Sequence, residues 1–279
     1  MKLYNDTLKE IMEKGVDREG RNGTTRALFA IQMRFNLDEG FPAVTTKKLA
    51  FKAVKSELLW FLAMKNLDRA SDEDLKVLNQ SERTIWTDNA EANYWKDKGR
   101  FKGDLGRVYG IQWRGWQTPS GAKVDQIAEL IEKIKKTPYD RRLIVTAWNP
   151  GELSDMALPP CHMFFQCFVA NGKLSLHMIQ RSCDMFLGVP FNIASYSLLL
   201  SMLAQVTDLL PGECILTLQD AHIYHEHFDA VNEQLSRNTM PAPTLWLNPE
   251  IKSIDDFTMD DILLENYQSH PSIKAKMII

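Results

Sequence analysis

The dipeptide Asn171-Gly172, set between two alternating runs, constrains this chain more than any other feature. A two-residue hairpin turn needs positive φ at its central positions, and Asn-Gly tolerates that where few other pairs do. Residues 163–170 and 173–180 are therefore expected to pair as antiparallel strands. A second strand signal lies near the start, where Ala27, Phe29, Ile31, Met33 and Phe35 alternate with residues that include Gln32 and Arg34. Further strands are expected at 143–148 and around 214–218.

Helical spacing separates these strands. Tyr4, Leu8, Ile11 and Met12 share one face of a helix over 2–14, with Gly15 as its stop. Val54, Leu58, Phe61 and Leu62 mark a helix over 47–64, with Glu57 beside the apolar stripe. Val124, Ile127, Leu130, Ile131 and Ile134 mark another, closed by Pro138. Helices are also expected at about 192–207 and 224–235. Residues 17–26 read as a polar loop, and 66–105 as a polar surface insertion around the short apolar piece Ile85-Trp86. No repeat, low-complexity tract or linker divides the chain, so 1–279 is read as one α+β domain.

Composition excludes several classes. Thirty-three Lys and Arg against 36 Asp and Glu give a formal net charge of −3, without the basic excess that non-specific nucleic-acid binding needs. No apolar run approaches the about 20 residues of a membrane span, the longest candidate being 198–203. The first residues carry acids and lack the layout of a signal peptide. Four cysteines in 279 residues make no disulfide framework, which points to a reducing, cytoplasmic setting.

Several residues are candidates for chemistry. Cys161 follows Leu158-Pro159-Pro160 and precedes His162 and a strand. Prolines stiffen that approach, so the thiol is either a nucleophile activated by cations or a buried small apolar residue. Cys167, inside an apolar strand, reads as core. His222, His225 and His227 lack the spacing of a metal site, and no metal is expected. Arg21, Arg141, Arg142 and Arg181, the last followed by Ser182, suit a phosphate monoester, although solvated surface charge fits each arginine alone. Glu57 among Leu58, Leu59 and Trp60 is either a general base with a raised pKa or an exposed helix edge. Asn192 either caps a helix or reads a flat heterocycle edge, since a carboxamide donates and accepts at once.

These residues stand in an ordered series of motifs that resembles the thymidylate synthase family over nearly the whole chain. The series runs from Phe41-Pro42-Ala43-Val44-Thr45-Thr46-Lys47 through Glu57-Leu58-Leu59-Trp60-Phe61-Leu62, Val108-Tyr109-Gly110 and Asp140-Arg141-Arg142. It continues with Met156-Ala157-Leu158-Pro159-Pro160-Cys161-His162, Gln180-Arg181-Ser182-Cys183-Asp184 and residues 186–196. Asp220-Ala221-His222-Ile223-Tyr224 and His270-Pro271-Ser272-Ile273-Lys274 close it. The resemblance implies a mixed sheet flanked by helices and a homodimer formed through that sheet. It implies transfer of the one-carbon unit of 5,10-methylenetetrahydrofolate to carbon 5 of dUMP, giving dTMP and dihydrofolate. Cys161 would add to carbon 6 of uracil in an electropositive setting that lowers its pKa. Glu57 would manage protons through water, and Tyr109 would help remove the carbon 5 proton. Arg21, Arg181 and Ser182 would hold the phosphate, with Arg141 and Arg142 reaching from the other subunit. Asn192 would read the uracil edge, His222 and Tyr224 the sugar, and His162 would belong to the same nucleotide site. Asp184 would contact the pterin, with Ile85, Trp86, Leu158, Leu187, Gly188 and Phe191 lining the folate site.

The departures bear on the outcome of the reaction. The early loop reads Gly20-Arg21-Asn22-Gly23-Thr24-Thr25, where the family habit is Asp-Arg-Thr-Gly-Thr-Gly. Thr87 stands for the usual Asp, Asn89 for a second Trp, Gln219 for a Gly, and the chain ends in the bulky Met277-Ile278-Ile279. The last four are expected at or near the folate side. A hydroxymethylase, in which water replaces hydride and 5-hydroxymethyl-dUMP and tetrahydrofolate leave, is the alternative to methylation. A relative that only binds nucleotide or RNA is set against by the retained Cys161, Glu57 and Asn192. A cytosine substrate is set against by Asn192, where cytosine-specific relatives carry Asp.

Overall fold

A computed structural model describes residues 1–278. Its centre is a six-stranded sheet: β1 (Val16–Gly20), β2 (Gly23–Asn36), β3 (Ile144–Thr146), β4 (His162–Ala170), β5 (Lys173–Asp184) and β6 (Leu210–Tyr224). The spatial order is β1-β2-β6-β5-β4-β3, with β6 and β5 parallel and every other neighbour pair antiparallel. The fold is thus α+β with one mixed sheet. Asn171 and Gly172 close the β4–β5 hairpin with φ of 51° and 73°, the left-handed pair that the dipeptide was expected to supply.

A parallel neighbour cannot be reached by a tight turn, so the chain crosses from β5 to β6 through a helix, Gly188–Val206. That helix is apolar around its whole circumference and packs against β5, β6 and the helix Phe51–Leu62. Its 19 residues are long and apolar enough to cross a membrane by length and composition, which the short run 198–203 did not reveal, yet most of it lies inside the protein. Leu174, Leu176 and Met178 of β5 and Cys214, Leu216 and Leu218 of β6 alternate onto this inner face.

Elsewhere the sequence expectations need correction. Residues 17–26 are not a loop but the greater part of the β1–β2 hairpin, registered from Val16 opposite Ala27 to Gly20 opposite Gly23. β1 is exposed on both faces, so its sequence carries no alternation; an Arg26–Asp17 ion pair ties it to β2. Phe29 does not share the inner face with Ala27, Met33 and Phe35, and is 78% exposed. Ala30 has a φ of 62°, which breaks the strand's alternation at that point. The helix expected over 47–64 begins at Phe51, because Phe41 through Lys47 run buried and non-helical beneath the site.

The polar insertion 66–105 is also more than surface. It holds the helix Asp72–Asn79 and the helical turn Thr87–Ala90, and it buries Leu75, Trp86, Trp95 and Leu105. Arg69 fastens it: the guanidinium donates to both oxygens of buried Asp104, at 2.9 and 2.7 Å, and to Asp155 at 2.7 Å. Trp95 Nε1 donates to the Asp104 carbonyl at 2.6 Å. Replacing Arg69 by Met would leave the buried Asp104 carboxylate without its counter-charge. Urea unfolding of Arg69→Met should show a loss of about 3–5 kcal/mol.

Candidate active site

Cys161 sits where the turn Pro159-Pro160 feeds β4. Neither proline offers a backbone donor, but both carbonyls are taken: Arg181 Nε donates to Pro160 at 2.9 Å and Nη2 to Pro159 at 2.8 Å. The Arg181 backbone N–H donates to the Cys161 carbonyl at 2.9 Å. From the opposite side the Tyr109 hydroxyl accepts the backbone N–H of Cys161 at 2.7 Å and of His162 at 3.4 Å. A register shift follows at once, His162 facing Gln180 while Phe164 faces Ile179. A bulge of this kind re-aims the residues beside it.

Burial pushes the Cys161 thiol up, while the Arg181 guanidinium and Tyr109 pull it down. The expected lowering is therefore not found: one nearby guanidinium does not outweigh desolvation. His162 is pushed down to about 4 by burial, with Asn192 opposing, so its ring is neutral near pH 7. Cys167, Cys183 and Cys214 are buried and far less acidic than an exposed thiol.

Tyr109 is brought to the thiol by Gly110. A Cβ on Gly110 would lie 2.4 Å from the Phe61 carbonyl oxygen, so only glycine lets the helix Tyr109–Gly115 approach the helix Phe51–Leu62 this closely. The Tyr109 ring stacks on Phe61 at 5.0 Å as a result. Glu57, on that second helix, meets the insertion: Trp86 Nε1 donates to Glu57 Oε1 at 2.7 Å. Burial raises the Glu57 carboxyl from 4.5 to about 7, the indole donor opposing. Of the two sequence readings of Glu57, the exposed helix edge is excluded.

Strand periodicity supplies the other wall. Gln180, Ser182 and Asp184 alternate on β5, and His222 and Tyr224 on β6, with His222 paired opposite Asp184. Asp184 Oδ1 accepts the backbone N–H groups of Phe186 and Leu187 at 2.9 and 3.0 Å, fixing the chain just before the long helix. Beneath that turn the buried Lys47 ammonium donates to the Phe186 carbonyl, and burial lowers it to about 7. Because the helix begins at Gly188, Asn192 lies one turn inside it and is not a cap. Its Oδ1 accepts from Gln180 Nε2 at 3.1 Å, and Gln180 also donates to the Ser182 carbonyl at 2.9 Å.

These groups line one cavity of about 450 Å³. Cys161, Glu57, Tyr109, His162, Asn192, Asp184, Arg21, Ser182, His222 and Tyr224 meet there, as do Ile85, Trp86, Leu158, Leu187, Gly188 and Phe191. Arg181 stands behind the thiol turn instead, its guanidinium 5.5 Å from the Trp148 ring. Arg141 and Arg142 do not line this cavity; Arg142 is exposed and pairs with Asp140 at 3.1 Å. Of the four departures expected near the folate side, Asn89 and the chain end, through Met277 and Ile278, are in the lining; Thr87 and Gln219 are not, and Ile279 lies outside the described residues. Residues that sequence reasoning did not assign to the site include Asn22, Phe61, Tyr94 and Gln180. The two-residue alternation with Ser182 and Asp184 was the signal that would have found Gln180. Among the described residues, no three His, Cys, Asp or Glu side chains group as metal ligands.

The raised Glu57 carboxyl is a stability statement. Between its unfolded value of 4.5 and about 7 the folded state holds a proton that the unfolded state has lost, so stability falls as pH rises through that window. Above it the full penalty, up to about 3 kcal/mol, applies. Glu57→Gln keeps an acceptor for Trp86 and removes the charge. It should melt at a higher temperature than the parent at about pH 8, with the difference largely gone at about pH 5.

The family model described as Thymidylate synthase matches residues 2–279, essentially the whole chain whose sheet, thiol turn and cavity are set out above. The chain belongs to the thymidylate synthase family.

Proposed function

We propose that this chain catalyses the reductive methylation of dUMP, taking the one-carbon unit of 5,10-methylenetetrahydrofolate to carbon 5 of the uracil and releasing dTMP and dihydrofolate. As a member of its family the chain is a one-carbon transferase whose substrates are dUMP and that folate. The observation that carries the finer reading is the meeting of Cys161, Glu57 and Asn192 in one cavity with an apolar wall of Ile85, Trp86, Leu187 and Phe191.

In this reading the Cys161 thiol gives up its proton and its sulfur bonds to carbon 6 of uracil, leaving carbon 5 nucleophilic. Carbon 5 bonds to the folate methylene and loses its proton, and tetrahydrofolate departs to leave an exocyclic methylene. Hydride from tetrahydrofolate then reduces that methylene, the folate is oxidised to dihydrofolate, and the carbon–sulfur bond breaks. Glu57, with a proton affinity suited to pH 7, manages protons at uracil oxygen 4 and on the departing folate. Asn192 reads the uracil edge through a carboxamide whose orientation Gln180 fixes. Arg21 and Ser182 face the phosphate, and His222 and Tyr224 the sugar.

Hydroxymethylation has its own support. Asn89 stands in the lining where the family habit is an aromatic ring, and Met277 and Ile278 line the same cavity. Methylation is preferred because Trp86 is buried and held on Glu57, where it excludes water from the exocyclic methylene. Incubation with dUMP and methylenetetrahydrofolate should give dTMP and equimolar dihydrofolate. A nucleotide sixteen mass units heavier than dTMP, with tetrahydrofolate released unoxidised, would establish the alternative. Cys161→Ala should lose turnover by more than about a thousandfold while still binding dUMP.

Arg141 and Arg142 support a homodimer. Neither lines its own chain's cavity, and Arg141 borders the outward sheet face, where Phe168 is 68% exposed. Two copies packed through that face would bring each pair of arginines to the partner's phosphate site. Mixing inactive Cys161→Ala with inactive Arg142→Ala subunits should restore activity, because one site of the mixed dimer is undamaged. Exchange of subunits without recovery would refute the sharing.

A further inference from the structure

Thr87 follows the shielding tryptophan directly and does not face the cavity. It is buried, and its hydroxyl donates to Asp72 Oδ2 at 2.8 Å while accepting the Thr84 backbone N–H at 2.9 Å. The Thr84 hydroxyl donates to the other Asp72 oxygen and accepts the Trp86 backbone N–H at 3.0 Å. Asp72 is fully buried, and Lys76, one turn along the same helix, reaches it at 3.2 Å. Both carboxylate oxygens are therefore spent on the backbone segment that carries Trp86.

The other end of Trp86 is equally committed. Its indole N–H donates to Glu57, and its ring meets Trp60, Phe61 and Tyr109 at centroid separations of 5.9, 6.4 and 5.8 Å. A buried carboxylate is costly unless its partners are fixed. Here two hydroxyls and an ammonium fix it, and the rigid anchor that results holds one residue of the cavity wall. Asp72 is not itself in the lining. Its ring of hydrogen bonds ends at Trp86, and through Trp86 at Glu57.

We propose that Asp72, Thr84 and Thr87 are positioning residues that hold the Trp86 indole in donor contact with Glu57, and so govern how Glu57 takes and releases protons. The proposal rests on the reading of Glu57 as the proton-managing group of the one-carbon transfer. The titratable groups that share its surroundings are Tyr196 on the long helix, whose ionisation the Glu57 charge disfavours, and Tyr109, Cys161 and His162 across the cavity. Burial keeps both tyrosines, the thiol and the imidazole neutral near pH 7, which leaves Trp86 as the partner that tunes Glu57 there.

The test uses a signal that needs no substrate. Indole emission responds to the charge of a carboxyl in contact with it, so the wild-type protein should show a fluorescence titration near pH 7 that is missing in Glu57→Gln. Thr87→Val removes the hydroxyl at nearly constant volume, and should move that midpoint upward by at least about 0.5 pH unit, because Glu57 loses part of its donor. Thr87→Ser keeps the hydroxyl and should restore the wild-type midpoint. In turnover, Thr87→Val should lower kcat at least about tenfold with dUMP affinity within about twofold, and Thr87→Ser should recover it. Should Thr87→Val fail to fold by circular dichroism, Asp72→Asn is carried through the same measurements with the same expectation. A wild-type midpoint in a folded Thr87→Val or Asp72→Asn protein overturns the proposal. A wild-type protein without turnover counts against the reaction alone, since the titration still decides the positioning role.

Discussion

Two strands that run the same way need a long connection, and in this chain that need organises everything around the cavity. The pairing of β5 with β6 obliges the polypeptide to leave the end of β5 and return to the far end of β6. The returning helix fills the space over the sheet and is buried along most of its length. Its first turn therefore opens beside the last residues of both strands. Ser182 and Asp184, His222 and Tyr224, and Gly188 and Asn192 come together for this one topological reason. The thiol joins them because β4 pairs antiparallel to β5 and begins where β5 ends.

Electrostatic cost is concentrated at the same place. Glu57 and Lys47 are both held near pH 7 by burial, one raised and the other lowered. Each is committed to one strong partner, the Trp86 indole and the Phe186 carbonyl. By contrast, the arginine that fastens the insertion meets carboxylates on two sides and contributes to holding the fold together. Glu57, with its single indole donor, lines the cavity, whereas the densely paired Arg69 belongs to the scaffold.

What the sequence made legible follows local physics. Asn171-Gly172 announced its hairpin because the turn's dihedrals admit few other residues, and the helix over 2–14 appears with those bounds because its apolar stripe faces one core. The β1–β2 hairpin was illegible because exposed strands carry no alternation, and Phe29 misled because the left-handed backbone at Ala30 interrupts the strand's alternation there. Asn192 resisted a reading since only the helix start at Gly188 separates a cap from a recognition group. The family motifs named most of the cavity wall. They gave no role to Gln180, and they set Thr87 beside the folate when its hydroxyl in fact turns inward to Asp72, a partner 15 residues away.

The Tyr109 hydroxyl carries a consequence of its own. Its oxygen has two lone pairs, and the backbone N–H groups of Cys161 and His162 occupy both. The single hydrogen left on that oxygen is then the only bond it can offer outward, and burial holds the phenol well above the ordinary tyrosine value. Toward the cavity this tyrosine is a pure donor. A group that approaches Tyr109 from the cavity therefore meets a hydrogen-bond donor and no free lone pair.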